Sequence, residues 1–439
     1  MNSKRKKFRI AVIGAGACGL STAYELQKFG FSVDVYEKSD QLGGLAGAVS
    51  LKKGRIDSFY HHLFRSDKYI LNFLKETNLY SKVKFRRTLT GHIWDNKYFD
   101  ISSILSLKKS KLLSNWGLIR LLLGGAFIKY IPSTDTLNNK LVHEIINNLF
   151  GWEAASKIWN PLLNYKFGKF AKLMPYSWLK TRIQDRTIEL GFVNGGFEVI
   201  YNFLEKKIIS SNGKIFKNFL IEEIKFANNS KQILINERVY DKIVITTPPT
   251  INQKILKNIE YKSKPIKYLG ALCGVLEFNK RPIPSYWLGI ADVNKKNKSD
   301  YKDFLAVISY AELDVDWNSK GKKSWPLYLA AYCTKEEYQK LTPEQWKTKM
   351  TRAAIELNKL SDLDEIKEEN VINFKLSFAD YAQPILSPGE GLYPDPESAT
   401  NCYFANMHNI FPNDRGQNRS FFLGRNIAKK IFKDYISTE

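Results

Sequence analysis

Six consecutive residues near the N-terminus, Gly14-Ala15-Gly16-Ala17-Cys18-Gly19, carry the glycine spacing of a phosphate-binding turn. Gly14 permits a tight turn, Gly16 lets the backbone approach a pyrophosphate, and Gly19 lets a following helix pack closely on the strand before it. The phosphates then meet the free N–H groups and positive end of that helix. Glu37 stands where the next strand should end, the position from which a carboxylate accepts hydrogen bonds from a ribose diol. An acid there argues against a 2′-phosphate on the same ribose. Cys18, inside the turn, is expected to be a small packing residue rather than a redox thiol. Lys38 then leads to the doublet Gly43-Gly44, followed by Leu45 and Ala46. Two glycines remove side chains where the backbone must wrap a cofactor. His61 and His62 offer a second chemistry, because an imidazole can relay a proton near neutral pH or hydrogen-bond a redox ring. On the residues alone, a structural histidine is the simpler reading.

These groups need a scaffold, and the surrounding periodicity supplies one. Residues 8–13 (FRIAVI) form a short β-branched run ending at a glycine turn, as a buried parallel strand does. Residues 17–29 have helical spacing and stop at Gly30, and residues 31–36 read as a second strand, completing a βαβ unit. Further strands are expected at 214–226, 232–235 and 242–247, the last halted by Pro248-Pro249. Residues 101–180 read as mostly helical, 265–335 as a second sheet, 335–360 as one or two amphipathic helices and 426–435 as a closing helix. The apolar run 112–131 is about as long as a membrane span, but Asn115, Arg120 and Lys129 interrupt it. A central Arg costs about 2.5–3.5 kcal/mol on insertion scales. A buried helix is expected, with a helix lying in one leaflet or facing an apolar ligand as the alternatives.

Composition excludes several classes. The chain has 439 residues, 44% hydrophobic and 25% charged, which describes a globular protein of two or three domains rather than a disordered or fibrous one. Its four cysteines, Cys18, Cys273, Cys333 and Cys402, form no CxxC and no metal-type spacing, so no metal site is expected and a reducing, cytoplasmic setting is the simplest reading. Lys and Arg number 67 against 44 Asp and Glu, a net charge of +23, but the lysines are scattered. With no basic stripe interleaved with aromatics, nucleic acid is not expected as a partner. No second GxGxxG–acid unit appears for a separate NAD(P)H domain, and no serine elbow, P-loop or HExxH is present.

The glycine turn, Glu37 and the Gly43-Gly44 doublet together resemble the flavin-binding pattern of the FAD-dependent amine oxidase superfamily, which includes protoporphyrinogen oxidases, phytoene desaturases and UDP-galactopyranose mutases. The resemblance implies FAD, non-covalently held, on Gly14 to Gly19, Glu37, Lys38, Gly43, Gly44, Leu45 and Ala46. It also implies that the segment around Ile221 faces the adenine and that His61 and His62 lie beside the flavin, with His62 as a catalytic candidate. The C-terminal segment departs from the family's Gly-Asp pair, leaving Asp414, Arg415 and Gly416 as the expected flavin contacts. Residues 60–67 and 164–197 are similar to the mutase branch in their order of elements. By that likeness Arg65 is a second catalytic candidate, and Phe167, Arg182 and Arg186 are expected to touch substrate. Phe167 stands where the mutases have a Trp, Arg65 where they have a second His, and one residue is inserted between Arg182 and Arg186.

The expected architecture is α/β: a discontinuous Rossmann-type FAD-binding domain from residues 8–95, 187–255 and 398–439, and a mixed α/β substrate domain from 96–186 and 256–397 with a helical segment. The expected function is a FAD-dependent oxidoreductase of the amine oxidase or protoporphyrinogen-oxidase-like type, in which a substrate C–H or C–N unit gives a hydride to flavin N5. The apolar run suits a tetrapyrrole, isoprenoid or polyprenyl-linked small molecule and contact with a membrane surface. The alternatives are a mutase-like enzyme acting on a nucleotide sugar without net redox change, and a non-catalytic lipid-binding relative such as the Rab escort proteins.

Overall fold

The computed structural model describes residues 8–438 apart from 133, 227–231, 257–265, 292–297, 320, 322, 388–400, 412 and 414. At the centre of the first sheet lies the strand Arg9–Ile13, flanked by Ser32–Tyr36 on one side and Lys242–Ile245 on the other. Lys214–Phe216 and Cys402–Phe404 complete five parallel strands. Both faces of the central strand are covered. Ile10 and Val12 pack with Leu20, Val33 and Leu204, while Ala11 and Ile13 pack with Tyr240 and Ile243. Burial on two faces explains why this run shows no polar alternation. The helix Ala17–Lys28 and the C-terminal helix Gln417–Thr438 lie together on the first of these faces. They approach so closely that a Cβ at Gly424 would overlap Ser21 Oγ.

The second sheet has seven strands, in the spatial order Val371–Ile385, Lys267–Phe278, Trp325–Cys333, Ala306–Ser309, Trp287–Ile290, Thr90–Trp94 and Lys97–Asp100. Helix Pro343–Asn358 covers one face through Trp346, Met350 and Ala353. Thr90–Trp94 pairs in parallel with Trp287–Ile290, so it belongs to this sheet and not to the dinucleotide-binding part. The expected boundary at residue 95 therefore falls before residue 90. The expected single strand over 214–226 is two short ones, Lys214–Phe216 and Lys225–Phe226. Between them Asn218 takes a left-handed conformation and Phe219 N–H donates to the Glu37 carbonyl at 2.8 Å.

A helical layer, including Asn115–Tyr130, Val142–Ala154 and Tyr176–Asp185, packs beside the second sheet. Asn115–Tyr130 departs from the expectation of burial. Gly117, Leu118, Gly124 and Ile128 face inward, whereas Trp116, Leu123 and Tyr130 face solvent.

Asp57 ties the two parts together. Its carboxylate accepts from Phe197 N–H at 3.0 Å, and its carbonyl accepts from Tyr328 Oη at 2.8 Å on the second sheet. Burial pushes its pKa from 3.8 up to about 8, with the Glu198 charge adding in the same direction. The folded state thus binds a proton that the unfolded chain releases, and the stability this contributes is full below about pH 4 and lost as pH rises through about 8. Below about pH 6.5 the neutral His61 and His62 act in the opposite sense, so the fall in melting temperature should show between about pH 6.5 and 8. Asp57→Asn, which keeps the acceptor for Phe197, should flatten that fall in thermal melts recorded across pH. An unchanged pH profile in the variant would place the titrating group elsewhere.

Candidate functional site

The glycine turn is organised by backbone hydrogen bonds. Gly14 N–H donates to the Tyr36 carbonyl at 2.8 Å, and Thr246 Oγ1 donates to the Ile13 carbonyl at 2.7 Å. Gly16 caps helix Ala17–Lys28 in an extended conformation, with no side-chain cap and no acid in the first turn. The positive end of that helix is thus uncompensated by the chain itself. A Cβ at Gly16 would meet nothing within 4 Å, so the backbone faces open space where a pyrophosphate would lie. Glu37 is fixed at the rim of this space: Oε2 accepts from Ala15 N–H at 2.8 Å and Oε1 from Ser39 N–H at 3.0 Å. Lys38 beside it is exposed.

The doublet folds back onto the same rim. Gly43 N–H donates to the Ala15 carbonyl at 2.9 Å, and Gly43 sits at φ +96°, with a Cβ there pressing into the Tyr201 ring. Gly44–Ala46 is a single 3₁₀ turn that buries Ala46 and sends Leu45 into the main cavity. Cys18 is an inert thiol, because burial pushes its pKa up to about 12. The Ile221 side chain is core, packed with the second-face cluster, so any adenine contact there falls to the backbone.

The cavity encloses about 220 Å³ against the second sheet. Tyr60, His61 and His62 come from the connection after Asp57, Arg182 and Asp185 from helix Tyr176–Asp185, Cys273, Trp287 and Tyr332 from the second sheet, and Arg415 to Arg419 from the C-terminal segment. His61 Nδ1 lies 2.7 Å from the Phe59 carbonyl, and His62 Nδ1 lies 3.0 Å from Tyr286 Oη. Burial lowers the His61 pKa to about 4, with Arg415 adding to the shift. Burial lowers His62 to about 3, helped by Arg186, His61 and Arg182. Both are neutral imidazoles at physiological pH, suited to hydrogen bonding rather than to proton relay.

Positive charge dominates the wall. Lys166, Arg182, Arg186, Arg415 and Arg419 face it, against Asp67 and Asp185. Asp185 is paired with Arg419 at 3.2 Å, and burial pushes Asp67 up to about 6. Arg182 is only 8% exposed and lies over the Trp178 ring at 5.3 Å, and Lys166 is 4% exposed over the same ring at 5.0 Å. Arg415 Nε donates to Gln383 Oε1 at 3.0 Å, and its Nη2 donates to Tyr332 Oη.

Of the expected substrate and catalytic residues, the fold brings His62, Arg182 and Arg186 to this cavity, and two others stand elsewhere. Arg65 is half exposed, paired with Glu189 at 2.6 Å and stacked over Phe85. Its backbone N–H binds Thr187 Oγ1, which turns the side chain outward and corrects its expected catalytic role. Phe167 has no exposure and packs edge-on against Trp178 in the helical core, so it is not a substrate contact. Its neighbour Lys166, about 100° around the helix, reaches the cavity instead. Gly416 lines the cavity, and a Cβ there would enter open space. Asp414 lies outside the described residues. Tyr60 and Lys166 lie inside the segments 60–67 and 164–197 that the sequence singles out without being named there, whereas no local motif marks Trp287, Tyr332 and Arg419. The helix Asn115–Tyr130 contributes no residue to the wall, which corrects its expected role against an apolar substrate.

Comparisons with known proteins agree with this geometry. Residues 12–77 match the NAD(P)-binding Rossmann-like domain family. A zeta-carotene desaturase from Capsicum annuum is 41% identical over 58 residues, 13% of this chain and 10% of the desaturase. The matched stretch thus spans about a tenth of that relative's length. Reduced UDP-galactopyranose mutase superposes with a TM-score of 0.72 at 16% identity, covering 97% of this chain and 96% of the mutase. A putrescine oxidase variant superposes at 0.70 and 14%, covering 98% and 99%. The chain therefore has the fold of the FAD-dependent amine-oxidase-like flavoproteins, a Rossmann-type part joined to an α/β part.

Two substitutions test the dinucleotide rim. Gly16→Val should purify without nucleotide and melt where the nucleotide-stripped parent protein melts, because its side chain enters only the space the pyrophosphate needs. Glu37→Ala should weaken nucleotide binding roughly 10–100-fold, the loss expected for hydrogen bonds to a charged acceptor. Release of the bound nucleotide by heat, followed by chromatography and titration back, measures both.

Proposed function

We propose that the protein is a FAD-dependent oxidoreductase whose substrate is a small molecule carrying negative charge. The observation that carries this reading is one continuous cavity. It runs from the rim of the dinucleotide turn, at Leu45 and Gly416, to a wall of neutral histidines, aromatic rings and guanidinium groups. The turn fits FAD: Gly16 leaves the pyrophosphate space open, Glu37 is held where a ribose diol would reach it, and the Gly43-Gly44 backbone closes over both. Attachment is non-covalent in this reading, since Cys18 is a protonated thiol and Cys402 is buried within its strand. When bound, FAD supplies a ring that accepts a hydride at N5.

The chain's own residues orient the substrate and keep water out. Arg182 and Arg186 offer planar donors suited to carboxylate or phosphate oxygens. Tyr60 and Trp287, edge to face with centroids 5.2 Å apart, form an apolar wall. His62, anchored by Tyr286, presents its other ring nitrogen to whatever lies in the cavity. Holding a C–H bond against the cofactor in this way converts a chance encounter into a unimolecular step.

A second reading, a mutase-like enzyme acting on a nucleotide sugar, is favoured by the five cationic side chains in one cavity, because a diphosphate would match them. The two readings differ in what the substrate does to the cofactor. Under the first, an anionic substrate bleaches the oxidised flavin anaerobically. Under the second, a UDP-sugar isomerises only after the flavin has been reduced. Protein that purifies colourless and refuses added FAD would sink both and favour a non-catalytic relative.

Removing one anchor should separate binding from cofactor retention. Arg182→Ala should keep its flavin spectrum while KM for the anionic substrate rises roughly 10–100-fold, the cost of losing a charge-assisted hydrogen bond. An unchanged KM would remove the Arg182 side chain from the substrate site.

A further inference from the structure

Helix Asn115–Tyr130 has an outward face as apolar as its inward one. Trp116, Ile119, Leu122, Leu123 and Tyr130 recur at helical spacing on that outer stripe, between 40% and 75% exposed. The inner stripe, Gly117, Leu118, Gly124 and Ile128, is buried against helix Val142–Ala154, where Gly124 is so close that a Cβ would overlap the Leu149 carbonyl. Trp152, 73% exposed, follows Gly151, whose added Cβ would sit 3.2 Å from Arg120 Cβ, so this ring extends the same surface. Of the seventeen large apolar side chains most exposed among the described residues, ten lie between residues 104 and 173, so the exposure is concentrated rather than scattered. A helix apolar all round belongs in an apolar phase. No helix among the described residues is long and apolar enough to cross a membrane, so a helix that meets that phase must lie along it.

The charges choose the occupant. Residues 101–134 hold Lys108, Lys109, Lys111, Arg120 and Lys129 and not one Asp or Glu. Lys108, Lys109 and Lys111 close the preceding short helix, and Lys129 sits beside Tyr130 at the end of the apolar stripe. A second copy of this chain would bring like charges face to face. An anionic lipid surface supplies the opposite sign, and Trp116, Trp152 and Tyr130 are rings with an apolar body and a polar tip, suited to the headgroup level.

We propose that this face docks in the plane of an anionic membrane leaflet, with the apolar stripe in the acyl boundary and the lysines against the headgroups. Docking leaves the cavity one helix away, since Gln184 of the Arg182-bearing helix donates to the Ile128 carbonyl at 3.0 Å. It does not rest on the redox reading and holds for a mutase as well.

Flotation of the purified full-length protein with phosphatidylcholine vesicles, with and without phosphatidylglycerol, tests it. The protein should float with the anionic vesicles and stay behind with the neutral ones. Leu123→Asp should lower the bound fraction roughly tenfold or more, since it removes a buried leucine and adds a charge. Lys108→Glu with Lys109→Glu should weaken vesicle binding roughly 30-fold or more, and more steeply at low salt. Bound flavin and the circular dichroism spectrum should be unchanged in both variants, which separates lost docking from lost folding. Protein that stays in the lipid-free fraction, floats equally well with neutral vesicles, or forms a dimer that Leu123→Asp dissociates would overturn the proposal.

Discussion

Gly19 lies against Gly14 so closely that a side chain at Gly19 would overlap the Gly14 carbonyl. This contact fixes where helix Ala17–Lys28 can begin, and much of the functional geometry follows from it. With the helix held there, its uncapped end points into the space beside Gly16. Ala15 N–H is left free of the helix to hold Glu37, and the Ala15 carbonyl is left to receive Gly43. Two segments distant in sequence are therefore registered by a single residue's backbone. The C-terminal helix answers the same demand from the other side, its Gly424 backing onto Ser21 and Cys18. That helix starts directly after the cavity-lining Gly416, so the packing that seats the phosphates also places Arg415 and Arg419.

The cavity is an electrostatic compromise. Several cations in a partly buried wall repel one another, and desolvation adds to the cost. The structure offsets this locally, with Asp185 on Arg419, the Trp178 ring under both Arg182 and Lys166, and Tyr332 and Gln383 on Arg415. His61 and His62 answer the same field by staying neutral. An anion entering the cavity reverses the balance: it offsets the guanidinium charges and, by the same Coulomb term, raises the pKa of His62. Burial holds the His62 pKa down first, and Arg186, His61 and Arg182 add to the shift, so an anion beside the arginines would act on His62 as well.

The dinucleotide rim was legible because its physics is local. Turn, helix start, ribose acid and doublet lie within about thirty residues, and each demands a particular residue type where it stands. The cavity wall was less so. Its residues are brought in by pairings between distant segments, such as Trp287–Ile290 with Thr90–Trp94, and no short spacing records a parallel strand so far away in the chain. Arg182 and Arg186 were found through resemblance. The same route misplaced Arg65 and Phe167, because order of elements fixes which helix or turn a residue occupies but not which way its side chain faces. Lys166 beside Phe167 shows how one position of helix rotation separates core from cavity. Hydropathy likewise identified the helix at 115–130 but could not tell a face buried in protein from one left for another phase.

The fold narrows the substrate class less than the wall does. A mutase and an amine oxidase share this fold, so architecture alone leaves both chemistries open. The sign of the cavity bears on the class of substrate and not on which of the two chemistries follows. A wall built to take a neutral amine or an isoprenoid has no use for buried guanidinium groups, whose desolvation would be uncompensated in the complex. A wall built for a phosphate or carboxylate recovers that cost only when the right ligand is present. Arg182, Arg186 and Arg415 therefore give the wall the charge that the proposed anionic substrate would match. The apolar helix stands outside the cavity, so its exposed face answers to something other than the cavity's occupant.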